Sequence, residues 1–322
     1  MSFGTGKIWM NGSLVDWADA RIHIGSHVIH YGSGVFEGAR CYETPRGAAS
    51  FRIREHVQRL INSARIYRMD SPLDLTGWIE AIHDTIRANK YRACYIRPIM
   101  YRGYATLGVN PMPCPVDMAI MLWEWSGYLG PDAQDKGVDV RVSSWQRMAP
   151  NTFPAMAKST ANYANAGLIK MEAMLDGYAE GIALDVNGFV SEGSGQNLFI
   201  VRDGILYTPS VTASILPGIT RDTIITIGKE LGYDVREELI PREAMYLADE
   251  AFFVGTAVEI TPIRSIDKIV VGRGQRGPVT SAIHRRFFEI LNGEVPDTHG
   301  WLSWVYPDEA HLREKANAAA AR

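Results

Sequence analysis

The block from Glu192 to Arg221 constrains the fold more than any other part of the chain. It opens with a carboxylate in a glycine- and serine-rich loop, continues through apolar segments that predict a strand pair, and ends with Leu-Pro-Gly-Ile-Thr before a helical run to Leu231. The first turn of a helix exposes backbone N–H groups that lack intrahelical partners, and these groups bind phosphate. An acid and an anion-binding helix start within one block therefore predict a site for a phosphorylated cofactor.

Length and composition are those of a two-domain globular protein. The chain has 322 residues, of which 46% are hydrophobic and 21% are charged, and a domain usually has about 150 residues. A net charge of −3 gives no electrostatic basis for binding nucleic acid or an anionic membrane. Apolar runs are short, no secretory signal is visible, and the three cysteines are widely spaced. We therefore expect a reduced, cytoplasmic protein.

Local patterns predict secondary structure on both sides of a glycine-rich segment at 126–137, which we interpret as an interdomain linker. Before it, residues 1–125 predict a small α+β domain with an Asn11-Gly12 hairpin, a second hairpin turn at 44–47, helices at 54–67 and 75–89, and strands at 93–101 and 118–123. After it, residues 138–306 predict a larger domain with several strands and helices at about 161–178, 219–231 and 279–292. Residues 307–322 form an alanine-rich tail.

Several motifs together resemble the fold-type IV, or class IV, pyridoxal-phosphate aminotransferases, and in particular the bacterial branched-chain amino-acid aminotransferases. Besides the 192–221 block, they are Tyr31-Gly-Ser-Gly-Val-Phe-Glu-Gly-Ala-Arg-Cys-Tyr42, Arg54-Glu-His-Val-Gln-Arg-Leu60, Tyr95-Ile-Arg-Pro98, Asn151-Thr-Phe-Pro154 with Lys158, and Gly255-Thr-Ala-Val-Glu-Ile-Thr-Pro262. Each motif alone is weakly specific, but the set is highly specific and covers most of the chain. The resemblance implies an α/β enzyme with a small α+β N-terminal domain and a larger, mixed α/β pseudo-barrel domain.

Lys158 is the candidate catalytic residue. It lies among small and apolar residues between Pro154 and Tyr163. Burial disfavours a charged ammonium, and a neutral lysine amine forms a Schiff base with an aldehyde. From the sequence alone, a solvent-facing lysine before a helix is the more frequent case. The resemblance implies instead that Lys158 carries pyridoxal 5'-phosphate and moves the proton at the substrate's α-carbon.

The resemblance also implies which residues hold the cofactor. Glu192 would keep the pyridine nitrogen protonated, Tyr163 would hydrogen-bond the phenolic oxygen, and Arg59 would pair with the phosphate. By composition alone, Arg52, Arg54 and Arg65 are almost equally eligible for the phosphate. The complete set of expected cofactor-binding residues is Arg59, Lys158, Tyr163, Glu192, Gly195, Leu216, Gly218, Ile219, Thr220, Gly255 and Thr256.

For the substrate, the resemblance implies an apolar pocket with one positive charge, which is used only by substrates that carry a second carboxylate. Arg97 would bind the distal carboxylate of glutamate or 2-oxoglutarate, because a guanidinium pairs with a carboxylate through two bonds. Tyr31 and the 107–109 loop are expected to come from the neighbouring subunit of a homodimer or hexamer. Core packing, or for Arg97 a nearby acid, remains the alternative. The expected substrate-binding residues are Tyr31, Phe36, Gly38, Arg40, Tyr95, Arg97, Leu107, Val109, Trp125, Tyr128 and Ala257.

The implied reaction is transamination of leucine, isoleucine or valine with 2-oxoglutarate, which gives branched 2-oxo acids and L-glutamate. A D-amino-acid or (R)-amine transaminase, and a lyase similar to aminodeoxychorismate lyase, are the alternatives on the same fold. Thr160-Ala161 stand where many bacterial relatives have two glycines, and this departure bears on selectivity rather than on the cofactor. One methylene is worth only about 1–3 kcal/mol in an apolar pocket, so the sequence does not rank the three amino acids.

Two further patterns are not expected to bind ligands. Gly272-Arg-Gly-Gln-Arg-Gly277 matches a dinucleotide-binding fingerprint, but Pro278 follows at once and too little chain remains for a complete βαβ unit. We interpret it as a glycine-rich turn. His23, His27 and His30 have spacings that would cluster metal ligands on a helix, but the glycines around them argue against a helix. We therefore expect no metal site.

Overall fold

A computed structural model describes residues 4–125, 129–130 and 132–307, which divide into two compact units. Unit 1 comprises residues 4–125, 157–161 and 288–307, and unit 2 comprises residues 129–156, with a gap at 131, and 162–287. The predicted domains (1–125, 138–306) place residues 157–161 and 288–306 differently from these contact-based units, and the domain limits stay a prediction. Tyr128, part of the predicted linker and the tail after Pro307 lie outside the described residues.

Most predicted elements agree with the structure to within a few residues. In chain order the strands are β1 (Lys7–Met10), β2 (Ser13–Asp16), β3 (Gly34–Phe36), β4 (Ala39–Thr44), β5 (Gly47–Phe51), β6 (Cys94–Arg102), β7 (Val116–Trp123), β8 (Val138–Val142), β9 (Glu180–Leu184), β10 (Val190–Gly193), β11 (Asn197–Arg202), β12 (Ile205–Pro209), β13 (Val235–Glu238), β14 (Glu250–Gly255), β15 (Glu259–Ile266), β16 (Ile269–Val270) and β17 (Leu302–Trp304). The α-helices are α1 (His27–Tyr31), α2 (Ile53–Ile66), α3 (Leu75–Asn89), α4 (Ala133–Lys136), α5 (Asn162–Leu175), α6 (Ile219–Glu230) and α7 (Pro278–Asn292).

Unit 1 is built on an antiparallel sheet with the strand order β17-β5-β4-β6-β7-β1-β2, and β3 also pairs with β6. The predicted hairpin between β1 and β2 is confirmed: Asn11 and Gly12 both have positive φ, as a type I′ hairpin turn requires. Asp74 is the N-cap residue of helix α3, and its side chain accepts a hydrogen bond from the Gly77 N–H at 2.8 Å. Its apolar residues, spaced four apart, enter the core.

The core of unit 1 joins α2 and α3 to the sheet. The residues of this core that show no exposure include Val57 and Leu60 of α2, Trp78, Ile82 and Ile86 of α3, and Ile96 and Ile120 of the sheet. Burial of such side chains stabilises each by about 1.5–3 kcal/mol. The β3–β4 segment and the inner face of α2 are thereby held in fixed positions, and both carry candidate site residues.

Unit 2 is built on a mixed sheet with the strand order β10-β9-β8-β15-β14-β11-β12-β13. Strand β8 runs parallel to both β9 and β15, and β12 runs parallel to β13, whereas the other neighbours are antiparallel. Leu198, Ile200 and Phe253 are among the buried side chains at the centre of its core. Helices and strands are mixed in this unit, as the α/β prediction requires.

The Gly272–Gly277 segment is a turn, as predicted. A Cβ at Gly272 would overlap the Asp249 carbonyl, and a Cβ at Gly277 would overlap the Glu250 side chain. Glu250 in turn accepts hydrogen bonds from the first backbone N–H groups of α7, Val279 at 2.9 Å and Thr280 at 2.8 Å. The glycines therefore allow a close approach of two chain segments. None of the helices in the described part of the chain combines the length and apolar character that a membrane span requires.

Candidate active site

Lys158 lies in unit 1 and is 9% exposed. Its backbone N–H donates to Ser63 Oγ at 3.0 Å, and its carbonyl accepts from the Phe36 N–H at 2.9 Å. The Phe36 ring centroid lies 5.2 Å from Lys158 Nζ. The next residue, Ser159, accepts a hydrogen bond from the Tyr67 hydroxyl at 2.9 Å. Segment 157–161 is thus fixed against α2 and β3, and its lysine amine lies beside an aromatic wall.

Arg59 is held by a buried acid that was not predicted from the sequence. Its Nε donates to Glu37 Oε1 at 2.5 Å and its Nη2 donates to Oε2 at 2.9 Å. His56 Nδ1 lies 2.8 Å from the same Oε2. The sequence contains a signal for each of these two supporting residues. Glu37 lies between the predicted residues Phe36 and Gly38, and His56 precedes Arg59 by three positions on one helix face.

The charge state of this cluster follows from its surroundings. Burial alone would raise the pKa of Glu37, but the Arg59 charge and the hydrogen bonds from His56 and Arg59 outweigh it and hold that pKa well below its usual range. Among the other arginines eligible by composition, Arg52 pairs with Glu55 at 2.8 Å, and Arg54 and Arg65 are exposed. Arg59 is thus the α2 arginine that forms a buried ion pair.

Arg97 is surrounded by aromatic rings in unit 1. Its Cζ lies 4.8 Å from the Phe36 centroid and 5.4 Å from the centroids of Tyr95 and Trp123. Its buried Nε has no hydrogen-bond partner in the described residues, and no acid among them forms an ion pair with it. Trp125 packs edge-on against Tyr95 at 4.8 Å. Three predicted substrate residues, Phe36, Tyr95 and Trp125, therefore lie in one group with Arg97. Trp123 belongs to the same group and was not predicted.

Gly38 and Arg40 lie next to this aromatic group. A Cβ at position 38 would overlap the Tyr95 hydroxyl, so glycine is required for the packing observed. Arg40 is the register partner of Tyr95 across the β4–β6 pair, and its Cζ lies 5.8 Å from the Tyr42 ring. The sequence-predicted residues on β4 and β6 are therefore neighbours in the sheet.

Tyr31, Leu107 and Val109 form a separate, exposed group in unit 1. The Tyr31 hydroxyl donates to the Leu107 carbonyl at 2.7 Å, and the three side chains are 44%, 50% and 79% exposed. His27 supports this group: its Nε2 lies 2.9 Å from the Gly108 carbonyl, and its ring stacks on Tyr31 at 4.5 Å.

The expectation that the histidines at 27 and 30 do not lie on a helix was wrong. Both lie on the short helix α1, because Gly32, with φ of 61°, ends this helix rather than preventing it. His27 Nδ1 lies 2.7 Å from Ser33 Oγ, so both of its ring nitrogens have hydrogen-bond partners within the chain. Across the described residues, no group of three or more His, Cys, Asp or Glu side chains has a geometry that can hold a metal ion.

Glu192 is the centre of the candidate residues in unit 2 and is 4% exposed. Its Oε1 accepts from Arg147 Nη2 at 2.7 Å, and its Oε2 accepts from Asn197 Nδ2 at 3.0 Å and from the Leu216 N–H at 3.1 Å. Arg147 also donates to Asn165 Oδ1 at 3.0 Å. The roles of Arg147 and Asn197 were not predicted. Leu216 was predicted to bind the cofactor, and in the structure its backbone supports the carboxylate.

The start of α6 has the features of an anion site. Gly218 is its N-cap residue, with extended φ and ψ, and no side chain caps the helix. A Cβ at Gly218 would overlap Asn197 Oδ1, while Asn197 Nδ2 donates to the Leu216 carbonyl at 3.0 Å. Ile219 and Thr220 follow as the first buried residues of the helix. Asn197 therefore links the helix start to Glu192 within unit 2.

The other predicted cofactor and substrate residues of unit 2 lie on loops or element ends. Tyr163 is in the first turn of α5, and Gly195 is exposed between β10 and β11. Gly255 ends β14, and Thr256 and Ala257 occupy the turn before β15, all three partly buried. Such positions suit ligand contacts. The roles assigned to these residues stay predictions.

The chain belongs to the class IV aminotransferases: residues 34–266 match the model of the family described as amino-transferase class IV. It is therefore an amino-group transferase. The branched-chain-amino-acid aminotransferase of Salmonella typhimurium is 52% identical over 299 residues, which are 92% of this chain and 97% of the Salmonella protein. These comparisons confirm the predicted family and α/β fold class.

Two solved structures are similar to the chain over most of its length. The crystal structure of the Escherichia coli branched-chain amino acid aminotransferase has a TM-score of 0.92 and 51% identity, and the match covers 94% of this chain and 99% of the other. The T.th. branched-chain amino acid aminotransferase, complexed with N-(5'-phosphopyridoxyl)-L-glutamate, has a TM-score of 0.90 and 44% identity and is matched over 94% and 100% of the two chains.

Proposed function

We propose that the protein transfers the amino group of leucine, isoleucine or valine to 2-oxoglutarate, with pyridoxal 5'-phosphate as cofactor, and releases branched 2-oxo acids and L-glutamate. The observation that carries this proposal is Arg97, which is surrounded by aromatic rings and has no acidic partner among the described residues. Aromatic rings pack well against an aliphatic substrate side chain, and an arginine that lacks an acidic partner among the described residues can bind the second carboxylate of a substrate. The relatives described above act on the same class of amino acids, as their names state.

The donor set of the chain fits pyridoxal 5'-phosphate. A helix start without a side-chain cap, at Gly218–Thr220, suits the phosphate, and the buried Glu192 carboxylate suits a protonated pyridine nitrogen. When bound, pyridoxal phosphate withdraws electrons from the substrate's α-carbon and makes the proton there more acidic. The T.th. relative, in complex with a phosphopyridoxyl compound, supports the same cofactor.

Lys158 holds the cofactor and moves the proton at the substrate's α-carbon. The hydrogen bonds of its backbone to Ser63 and Phe36 limit the positions of its amine, which a proton carrier requires. Glu192 keeps a proton on the pyridine nitrogen. Arg147, Asn197 and the Leu216 N–H orient the Glu192 carboxylate, because each donates to one of its two oxygens.

The substrate contacts complete the assignment. Tyr95 and the backbone of Thr256 and Ala257 bind the α-carboxylate, and Phe36 and Trp125 form apolar walls, with Gly38 leaving room for Tyr95. Arg97 binds the distal carboxylate of glutamate and 2-oxoglutarate. With leucine, the charge of Arg97 stays against the aromatic rings, an arrangement favoured by cation–π attraction.

The protein acts as a homodimer or a larger assembly of copies. Tyr31, at the end of α1, and Leu107 and Val109, in the loop between β6 and β7, have large side chains that are exposed. Tyr104 in the same loop is 58% exposed. Contiguous exposed apolar side chains of this kind typically mark a protein–protein contact. These residues therefore contribute to the substrate pocket of the neighbouring copy.

A panel of half-reactions tests the proposed function. The protein in its pyridoxal form is mixed separately with L-leucine, L-isoleucine, L-valine, L-glutamate, D-leucine and an (R)-amine, and the cofactor absorbance is followed. We expect fast conversion by the four L-amino acids and slow conversion by the others. Faster conversion by D-leucine or the amine would assign the alternative transaminases. Failure to form glutamate from leucine and 2-oxoglutarate would favour a lyase.

A further inference from the structure

We propose that Glu37 and His56 are positioning residues for the cofactor phosphate: Glu37 fixes the guanidinium of Arg59, and His56 fixes Glu37. This inference rests on the proposed function and deepens it. It assigns a role to two residues that do not themselves touch the phosphate. Both act through Arg59, and their effect is therefore specific for ligands that carry a phosphate group.

The geometry of the cluster fixes the plane of the guanidinium. Two nitrogen atoms of Arg59 donate to the two oxygens of Glu37, at 2.5 and 2.9 Å, so neither rotation nor translation of the guanidinium is free. Glu37 is itself fixed at its backbone, because its N–H donates to the Pro98 carbonyl of β6 at 2.9 Å. The cluster thus ties a side chain of α2 to the central strands of the sheet.

The charges of the cluster explain why an acid is needed at position 37. The Arg59 side chain is only 13% exposed and Glu37 is fully buried. A buried arginine without an acid would be poorly stabilised before any phosphate is bound. The ionised Glu37 offsets this charge and keeps Arg59 ordered, so that little side-chain freedom remains to be lost when an anion binds.

His56 acts as a neutral donor in this cluster. Burial lowers the pKa of His56, and although the Glu37 charge and hydrogen bond raise it, the charges of Arg59 and Lys158 lower it further, with a net lowering. A neutral imidazole donates one hydrogen bond from Nδ1 to Glu37 Oε2 without competing as a second cation. The carboxylate charge therefore remains available to Arg59.

The test compares two ligands that differ only in the phosphate. Full-length protein, freed of cofactor, is titrated with pyridoxal phosphate and with pyridoxal, and both dissociation constants are measured by absorbance and fluorescence. For Glu37→Gln we expect about 10-fold or more weaker binding of pyridoxal phosphate, because a charged hydrogen-bond pair is lost, and at most about a twofold change for pyridoxal, which has no phosphate for Arg59 to meet. Equal weakening of both ligands would overturn the inference.

A matched control separates this effect from the loss of any buried acid. Glu180 is also fully buried and pairs with Lys170 at 3.2 Å, and it has no proposed role in binding. Glu180→Gln should leave the ratio of the two dissociation constants unchanged. If Glu37→Gln changes this ratio no more than the control does, Glu37 has only a structural role.

Two variants of His56 keep the inference testable if Glu37→Gln does not fold. His56→Leu removes the donor to Glu37 and should weaken binding of pyridoxal phosphate selectively, whereas His56→Asn keeps a donor near Nδ1 and should restore it. If Glu37→Gln folds, the same change on an Arg59→Gln background should have no further effect on the ratio, and an additive loss would contradict action through Arg59. Normal leucine half-reactions with an unchanged ratio would overturn this inference alone, whereas wild-type protein that binds no pyridoxal phosphate would overturn the proposed function as well.

Discussion

Each unit contains a buried arginine–glutamate pair, but the residue that plays the supporting role differs between the two pairs. In unit 1 the acid is the supporting member: Glu37 is fully buried and holds Arg59, the residue proposed to meet the phosphate. In unit 2 the cation is the supporting member: Arg147 holds Glu192, the residue proposed to meet the pyridine nitrogen. The same interaction therefore prepares a cation for an anionic group in one unit and an anion for a cationic group in the other.

The carboxylates of the two pairs differ in the donors that accompany the arginine. Glu192 accepts from Asn197 and the Leu216 N–H as well as from Arg147, so its charge is shared among several neutral and charged donors. Glu37 receives two bonds from Arg59, one from His56 and one from the Gly38 N–H at 3.2 Å. Removing a supporting member takes a charged partner away from a buried group, which is costly. We therefore expect the supporting residues to be as necessary as the residues proposed to contact the ligand.

The largest expected effect is on stability, from removal of the supporting cation in unit 2. Arg147→Met removes the charged partner that donates to Glu192 Oε1 and should lower the free energy of unfolding by about 3–5 kcal/mol. Urea denaturation measures this change. Arg264→Met is the control, because Arg264 and Asp139 are 44% and 39% exposed and such pairs contribute about 0–1 kcal/mol. A loss no larger than that of the control would show that Arg147 does not support Glu192.

Glu192→Gln tests whether the two pairs affect different quantities: the rate of the half-reaction for Glu192, and the affinity for pyridoxal phosphate for Arg59. A neutral amide cannot stabilise a protonated pyridine nitrogen, and we expect the leucine half-reaction to slow by about 100-fold, the usual scale for loss of one electrostatic contact. The affinity for pyridoxal phosphate should change by much less. Stopped-flow absorbance and cofactor titration measure the two quantities. Parallel losses of rate and affinity would make Glu192 a binding residue like Arg59.

Arg97 forms no ion pair with an acid in the part of the chain that the structure describes, and its removal should have the smallest effect. Arg97→Ala should lower kcat/KM for glutamate and 2-oxoglutarate by about 10-fold or more relative to leucine, because only these substrates supply a second carboxylate. Steady-state kinetics with both amino acids measure the ratio. Arg92→Ala, which removes an arginine stacked on Tyr306 at 5.0 Å, is the control. Equal losses for glutamate and leucine would reject the role of Arg97.

The sequence predicted those parts of the fold that depend on local patterns. The Asn11-Gly12 turn and the spacing of Trp78, Ile82 and Ile86 are determined by neighbouring residues, and both appear as expected. The short helix α1 was missed because Gly32 was interpreted as a helix breaker although it occupies a C-cap position. A glycine in the left-handed conformation after a helix is common.

The supporting members of the two pairs were missed for a different reason. Glu37 and Arg59 are 22 positions apart, and Arg147 and Glu192 are 45 positions apart. Such pairing depends on how strands and helices pack, and no local periodicity indicates it. Arg59 and Glu192 were predicted because they belong to motifs of a family, whereas Glu37 was in a quoted motif without an assigned role.

The most direct test of the account is to locate the covalent attachment of the cofactor. The protein is treated with borohydride, digested, and analysed by mass spectrometry for a phosphopyridoxyl group. We expect the visible absorbance to disappear and the label to lie on Lys158. A label on another lysine, or full retention of unlabelled Lys158 after the absorbance is lost, would contradict the assignment of Lys158 as the residue that holds pyridoxal 5'-phosphate.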